Sequence, residues 1–570
     1  MLHENMMNCM TVIVGKAVSE SGRVLVAHNE DDPGHAITRH VLVPAAKHPA
    51  GELIPAEKGL ARIPQLAHTL GYYWVEYVAD EGGLTAADAY LNECGVVITS
   101  NSMGRSKEND DDPSVVKDGG LGYVLRRALA ERAHTAREGA QILMALIDEW
   151  GYAPSGRAYT IADKDEAFMF QLVRGHQYVG ARVPDDAVVV MPNHYTFHTL
   201  HDCPEMFYSK DVVRCAIEKG WYVPKTDDYS DFDFAAAYQG EKTWKSPMNM
   251  PRQRHGQRIV LGRDWDLERE GTPFCVYPKK TIGLETLAEV MRTHYEGTAD
   301  DNDFFGPGRS PHYAPASRRI CTGETLESEL WEIAERPEDT CVYTALGRPC
   351  QLPYLPLHPL MGLPASLQPG ADGTELMARH LERQSGATCA GDSAFDRFRW
   401  LSGAEEMLHC DVHGGMQPLL HEMLAEARRE SAEALKFRDA AARDEAFLQS
   451  ALKRLEAHAA QHFNMVEIRQ VSAICLSAEA ASVSVEFTAD EAPLEETLRF
   501  GVEFTHMVDY FAPAREGSLR CAGEKRWIAE FDLEPMKKVL PCPGRQMFFL
   551  GGRLEHGAAF AGCIVVEVQA

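Results

Sequence analysis

From Cys9 to Met191 the hydrophobic pattern runs strand-rich, helical, then strand-rich, and this order constrains the fold more than any other feature of the chain. The opening reads Cys9-Met-Thr-Val-Ile-Val-Gly15, a polar turn containing Gly22, then Arg-Val-Leu-Val-Ala27. Two β-rich runs about such a turn predict a hairpin. A further strand is expected at 95–100. Between Leu121 and Trp150, residues Leu125, Leu129, Ala133, Ala136, Ala140, Leu143 and Leu146 recur at helical spacing. Strands are expected again at 158–161, 167–173 and 187–191, the last stopped by Pro192. Strands grouped on either side of a helical block, without strict alternation, point to an α+β fold rather than a doubly wound parallel sheet.

Further along, Asp227 to Pro315 reads as loop-heavy, with acidic knots such as Asp300-Asp301-Asn302-Asp303. A stretch rich in Ala, Glu, Arg and Leu predicts helix from Gln417 to His462. Alternation returns after Phe463, at 481–487 and 563–568, so residues 465–570 are expected to form a separate all-β appendage. A chain of 570 residues is too long for one ordinary domain. No internal repeat or low-complexity tract is present.

Charge and cysteine usage exclude several function classes. The 84 acidic side chains against 57 basic ones give a formal net charge of −27. That balance repels phosphate backbones and anionic membranes, so neither nucleic acid nor membrane is an expected partner. No window approaches the length of apolar sequence that a membrane helix needs, and residues 1–8 lack the basic start and apolar run of a signal peptide. The 14 cysteines are scattered from Cys9 to Cys563 without a C-x-x-C pair. They read as reduced thiols in a reducing compartment, which predicts a cytoplasmic location.

Phosphate-loop, Gly-x-Ser-x-Gly and His-Glu-x-x-His motifs are missing. Cys410-Asp-Val-His413 offers two ligand types, but no matching second pair completes a closed four-ligand site. The acidic runs Asn109–Asp112 and Asp300–Asp303 lack the Gly and terminal Glu of a calcium loop. No metal and no cofactor are expected. Cys9 is different, because it opens the first strand behind a short, non-targeting segment. Were the Asn8–Cys9 bond cut, a thiol and a free α-amine would share one residue. An amine of pKa roughly 7.7–8.0 can take the thiol proton near neutral pH. By position alone, an ordinary buried strand cysteine is the better explanation; the neighbouring residues reverse that preference.

Those neighbours resemble the dipeptidase A family of cysteine dipeptidases. Cys9-Met-Thr11-Val-Ile-Val-Gly15-Lys16 and Ala27-His28-Asn29-Glu30-Asp31 are similar to its opening, and Asn92-Glu-Cys-Gly95-Val-Val to its Asn-Glu-x-Gly-Val strand. Glu131-Arg-Ala-His-Thr-Ala-Arg-Glu138 is similar to its most recognisable helix. Ala162-Asp163, Arg182-Val-Pro-Asp-Asp186, Pro192-Asn193-His194, Arg319-Ile-Cys-Thr322 and Pro353-Tyr-Leu-Pro356 follow in the family's order, so the likeness spans residues 9–460. Secernins share the arrangement, and more distantly so do penicillin V acylases and bile-salt hydrolases.

The resemblance implies an N-terminal-nucleophile hydrolase: a four-layer αββα sandwich, two antiparallel sheets between helices, with the hairpin inside one sheet. Resemblance and sequence pattern together divide the chain into a propeptide at 1–8, a core at 9–400, a helical extension at 401–464 and the β-rich 465–570, the last without a counterpart in the family. By matching position, Cys9 is the nucleophile and its freed amine the base. Asp31 holds the amine or thiol, and Asn193 donates to the oxyanion. Asn101, with Ser102 as its competitor, would be a second polar contact, and Arg258 a distal arginine near the nucleophile. The family carries Arg where this chain has His28, whose charge supports a thiolate only when protonated. The implied reaction cleaves dipeptides through a thioester acyl-enzyme, with small peptides as partners and homo-oligomerisation left open. The alternatives are an acylase acting on a non-peptide amide and a non-catalytic, secernin-like interaction protein.

Overall fold

The computed structural model describes residues 9–31, 37–78, 83–84, 89–108, 112–240, 249–301, 311–312, 318–367, 383–384, 398, 401–406, 416–476, 481–502, 511–537, 540 and 544–569. The segment 1–8, the pair Cys410 and His413, and parts of both acidic runs lie outside the described residues.

The predicted hairpin forms. Strand β1 (Met10–Val14) is buried at every position, and β2 (Leu25–Asp31) pairs with it antiparallel, with Thr11 opposite His28. A run buried on both faces needs covering on both sides. The pair sits in the middle of a seven-stranded antiparallel sheet. Beyond β1 lie Val188–Met191 and Cys275–Val276; beyond β2 lie Thr325–Glu332, Cys341–Ala345 and Leu355–Leu357. An eight-stranded antiparallel sheet contains Ile37–Val43, Tyr72–Val78, Ala89–Asn92, Val97–Ser102, Tyr152–Ala162, Ala167–Gly175, Tyr178–Arg182 and Met206–Tyr208. The fold is α+β, as the order of patterns requires.

Helices Met250–Leu261 and Leu284–Arg292 pack on the first sheet, Val124–Arg132 and Ala136–Trp150 on the second, and the sheets meet through β1 and Val97–Ser102. One hydrophobic core runs through all of these elements.

Three expectations change in detail. The single helix expected over 121–150 is two. Thr135 accepts from the Glu138 backbone N–H at 3.1 Å, and the Glu138 carboxylate accepts from the His134 backbone N–H at 2.8 Å. This reciprocal cap starts a new helix inside a continuous apolar pattern. The helix expected over 417–462 is likewise split, into Gln417–Phe437 and Ala440–His462, at Arg438 with φ of 58°. The stretch read as loop-heavy contains Met250–Leu261 and Leu284–Arg292, and both matter to the site.

From Phe463 onward the chain forms two further sheets over a second core that includes Val483, Val485, Phe500, Phe531 and Phe548. A short helix, Leu533–Lys537, interrupts the strands, so this region is not purely β. Among the described residues no helix is long and apolar enough to cross a membrane.

Candidate active site

Strand register assembles the site. Cys9 precedes β1, and Asp31 ends β2, which runs the opposite way. Val188–Met191 pairs with β1 so that Met191 faces Thr11, and Asn193 follows just beyond that strand's end. Cys9, Asp31 and Asn193 therefore meet at one end of one sheet. Gly15 fixes the far end of β1, where a Cβ would lie 2.4 Å from the carbonyl oxygens of Pro184 and Asp185.

The Cys9 side chain is buried, 4% exposed, and its Sγ lies 3.7 Å from the Asp31 carbonyl oxygen. The Asp31 carboxylate accepts from the Thr325 hydroxyl at 2.5 Å and sits 3.7 Å from the Arg252 guanidinium. Burial pushes the Asp31 carboxyl well above its usual range, against the opposing pull of Arg252 and Thr325. Burial likewise lowers Arg252, against the negative charge of Asp31. Arg318, which burial brings down to about 10, and Glu324 also act on Asp31.

Arg252 is the hub. Its Nη2 donates to the Cys9 carbonyl at 3.2 Å, and its Nη1 donates to Asn193 Oδ1. A guanidinium only donates, so it fixes which end of the Asn193 amide faces it. The amide nitrogen is thereby turned away and donates to the Ser102 carbonyl at 2.6 Å. An NH2 group has a second hydrogen available to another acceptor. Gly256, one turn beyond Arg252, lets the helix lie close on the sheet, since a Cβ there would meet Val190 Cγ1 at 2.6 Å.

His28 is also drawn in. The Thr11 hydroxyl gives its one proton to Asn101 Oδ1 at 2.5 Å, so it accepts from His28 Nδ1 at 2.8 Å. His28 Nε2 is 3.2 Å from Glu30 Oε2, a spacing that needs a proton between imidazole and carboxylate. A ring nitrogen of His28 and a carboxylate oxygen of Glu30 both lie within 4.8 Å of the Cys9 sulfur.

Of the expected site residues, Cys9, Asp31, Asn193 and His28 come together. Asn101 joins the group through Thr11: its Oδ1 accepts from the Thr11 hydroxyl, and its amide donates to the Met191 carbonyl at 3.1 Å, tying the two sheets together. Its competitor Ser102 touches the site through its backbone carbonyl, while its hydroxyl accepts from Arg157 at 3.2 Å. Arg258 is not at the nucleophile. Six residues along an α-helix turn the side chain to another face, and Arg258 acts instead on His255 and Glu289. Arg252 occupies the expected place. The segment Arg252-Gln-Arg254-His-Gly256-Gln-Arg258 offers three arginines, and the one signal favouring Arg252 is Gly256 four residues on, on the same face.

A cleft of 1060 Å³ lined by His198, Asp202, Asp233, Glu268 and Phe274 contains none of these residues. A thiol nucleophile and a positioned amide donor are groups that thiol-based acyl transfer uses.

The sequence profile of peptidase family C69 matches residues 8–361, and the chain belongs to that family. This agrees with the resemblance drawn from the residues around Cys9. Among curated relatives, a probable dipeptidase of Salmonella dublin is 27% identical over 64% of this chain and 83% of its own. A probable dipeptidase B of Streptococcus pyogenes is 25% identical over 61% and 71%, and a dipeptidase of Bifidobacterium longum 25% over 52% and 60%. A variant of conjugated bile acid hydrolase from Clostridium perfringens superposes with a TM-score of 0.29 at 8% identity, covering 59% of this chain and 89% of that one. That overlap is too low to carry an argument.

Proposed function

We propose that the chain is a cysteine-type N-terminal-nucleophile hydrolase that cleaves dipeptides after removal of residues 1–8, with Cys9 as nucleophile. The carrying observation is that one guanidinium, Arg252, joins the Cys9 backbone, the Asn193 amide and the Asp31 carboxylate. Asp31 Oδ2 is buried with no hydrogen-bond donor among the described residues, which suits it to hold the ammonium that cleavage at Cys9 would create. The dipeptide substrate rests on the names of the relatives.

The α-amine takes the thiol proton, and the thiolate attacks the amide carbon. The resulting oxyanion accepts from the second Asn193 N–H and a backbone N–H. Collapse breaks the C–N bond as the leaving amine takes the proton, and water then hydrolyses the thioester. His28, as a cation beside Glu30, favours the thiolate. The packing of helices on two antiparallel sheets supports the four-layer αββα sandwich, and the division 9–400, 401–464 and 465–570 rests on the change of sequence pattern alone. None of the eleven described cysteines is joined in a disulfide, which suits a reducing, cytoplasmic setting.

Intact-mass measurement and a dipeptide panel test the proposal together. The active protein should begin at Cys9, and Cys9→Ser should fold but lose hydrolysis. A fully active protein retaining residues 1–8 would overturn the mechanism. Hydrolysis of non-peptide amides alone would make it an acylase, and no hydrolysis at all would leave the secernin-like reading.

A further inference from the structure

A second cluster of nucleophilic side chains takes no part in this chemistry. His294 follows the helix Leu284–Arg292, and Cys321 lies just before the strand Thr325–Glu332. Cys350 is in the connection between Cys341–Ala345 and Leu355–Leu357. With His312, each offers one ligand atom within 4.8 Å of every other. His294, Cys321 and Cys350 are buried, and the His312 side chain is 2% exposed. His312 Nε2 lies 3.1 Å from Cys350 Sγ, and the two imidazoles meet edge-on with centroids 4.7 Å apart.

What surrounds the four is equally specific. His294 Nδ1 is 3.0 Å from Glu296 Oε1, and His312 Nδ1 is 2.9 Å from Glu406 Oε2. A carboxylate on Nδ1 holds the proton there and turns the Nε2 lone pair inward, the outer-shell arrangement found behind metal-ligating histidines. Both sulfurs are free thiols.

We infer that His294, His312, Cys321 and Cys350 hold one Zn2+ ion in a closed tetrahedral structural site. Zinc takes thiolate at about 2.3 Å and imidazole at about 2.0–2.1 Å, which puts ligand atoms roughly 3.3–3.8 Å apart. All four ligand atoms lie within 4.8 Å of one another, and His312 Nε2 and Cys350 Sγ are 3.1 Å apart, so small side-chain shifts would close the cluster on an ion. Zn2+ displaces the two thiol protons, and two thiolates with two neutral imidazoles then cancel its charge. A neutral set suits this buried position. Four protein ligands leave no position for substrate or water, so the ion's role is to fasten three segments of chain together. One of these carries the Ile320 carbonyl, which accepts from Asn29 at 3.2 Å, and leads to Thr325, which donates to Asp31. The zinc would therefore brace the wall behind Asp31. That consequence rests on the catalytic reading of Asp31, whereas the metal site itself does not.

Metal analysis of the full-length chain, purified reduced and then exchanged into metal-free buffer, should find about one zinc per chain. Exchange for Co2+ should give the visible d–d bands of a tetrahedral site with thiolate-to-metal charge transfer in the near ultraviolet. Cys350→Ser and His312→Ala should each lose the metal, whereas Cys341→Ser, an equally buried thiol outside the cluster, should keep it. Wild-type protein that takes up less than about a tenth of an equivalent of either metal overturns the site, and needs no variant to fold. So does a Cys321–Cys350 disulfide in the native, metal-free protein. Activity is read separately: a chain with full zinc and no hydrolysis keeps the site and fails the peptidase reading.

Discussion

Arg252 carries more of the candidate site than any residue except Cys9, and its environment makes a sharp test. Lysine has one charge centre and cannot donate at once to the Cys9 carbonyl and to Asn193 Oδ1 while facing Asp31. Arg252→Lys should lower turnover by roughly 10²-fold, the scale of losing one positioned oxyanion group. Arg252→Ala should also destabilise by about 3–5 kcal/mol, because it leaves a buried carboxylate without its partner. Arg258→Ala, on another face of the same helix, should leave kcat/KM nearly unchanged. Equal losses at the two arginines would remove Arg252 from the site. His28 gives a second test, through pH. Its cation is lost as pH rises, whereas His28→Arg keeps a positive charge at every working pH. The kcat/KM of wild type should therefore fall on the alkaline side, where His28→Arg holds. Superimposable profiles for wild type, His28→Arg and His28→Ala would show that the imidazole takes no part.

Between elements, one buried ion pair ties the helical segment to the first sheet. His358, just after the strand Leu355–Leu357, places its Nδ1 3.2–3.3 Å from both oxygens of Asp444 on the helix Ala440–His462, and its Nε2 is 2.9 Å from the Ser431 hydroxyl on Gln417–Phe437. Burial would lower His358, but the neighbouring Cys341 and Asp444 outweigh it and bring it up to about 10. Burial raises Asp444 as well, which taken alone would argue against an ion pair. The geometry decides for the ionised carboxylate, since Asp444 also accepts the His358 backbone N–H at 3.0 Å. A histidine raised on folding contributes stability that is complete below its unfolded pKa, near 6.5, and is lost as pH rises toward about 10. Thermal unfolding should therefore move to lower temperature across that window, and Asp444→Asn should flatten the slope. A wild-type Tm that stays level over the same range would show that no proton is bound there on folding.

For the whole molecule, every residue assigned to the candidate site lies between Cys9 and Thr325, while the region from Phe463 has its own core. The two are not independent, because Phe463, Phe511, Phe549, Ala559 and Ala561 belong to the large core. A chain ending at His462 should keep its hydrolytic activity but unfold at lower temperature, having lost those apolar contacts. Calorimetry beside a dipeptide assay would separate the two effects. Loss of activity in a truncated chain that still unfolds cooperatively would give the C-terminal region a part in the site.

The local sequence was enough for the elements whose signal is local. The β1–β2 hairpin follows from two apolar runs about a glycine turn and the α+β order from where the periodicity changes, whereas Cys9, Asp31, Asn193 and His28 stand out as candidates only through the family resemblance of the runs that hold them. Helix breaks at Thr135 and Arg438 escaped the pattern because an apolar period can continue through a cap or a single left-handed residue. Gly256 is the one local signal separating Arg252 from Arg254 and Arg258, and it gains meaning only once the helix fits against Val190. The cluster of His294, His312, Cys321 and Cys350 has no motif at all. Its ligands come from loops that meet only when the first sheet forms and the helix Leu284–Arg292 packs on it, so tertiary structure alone brings them together.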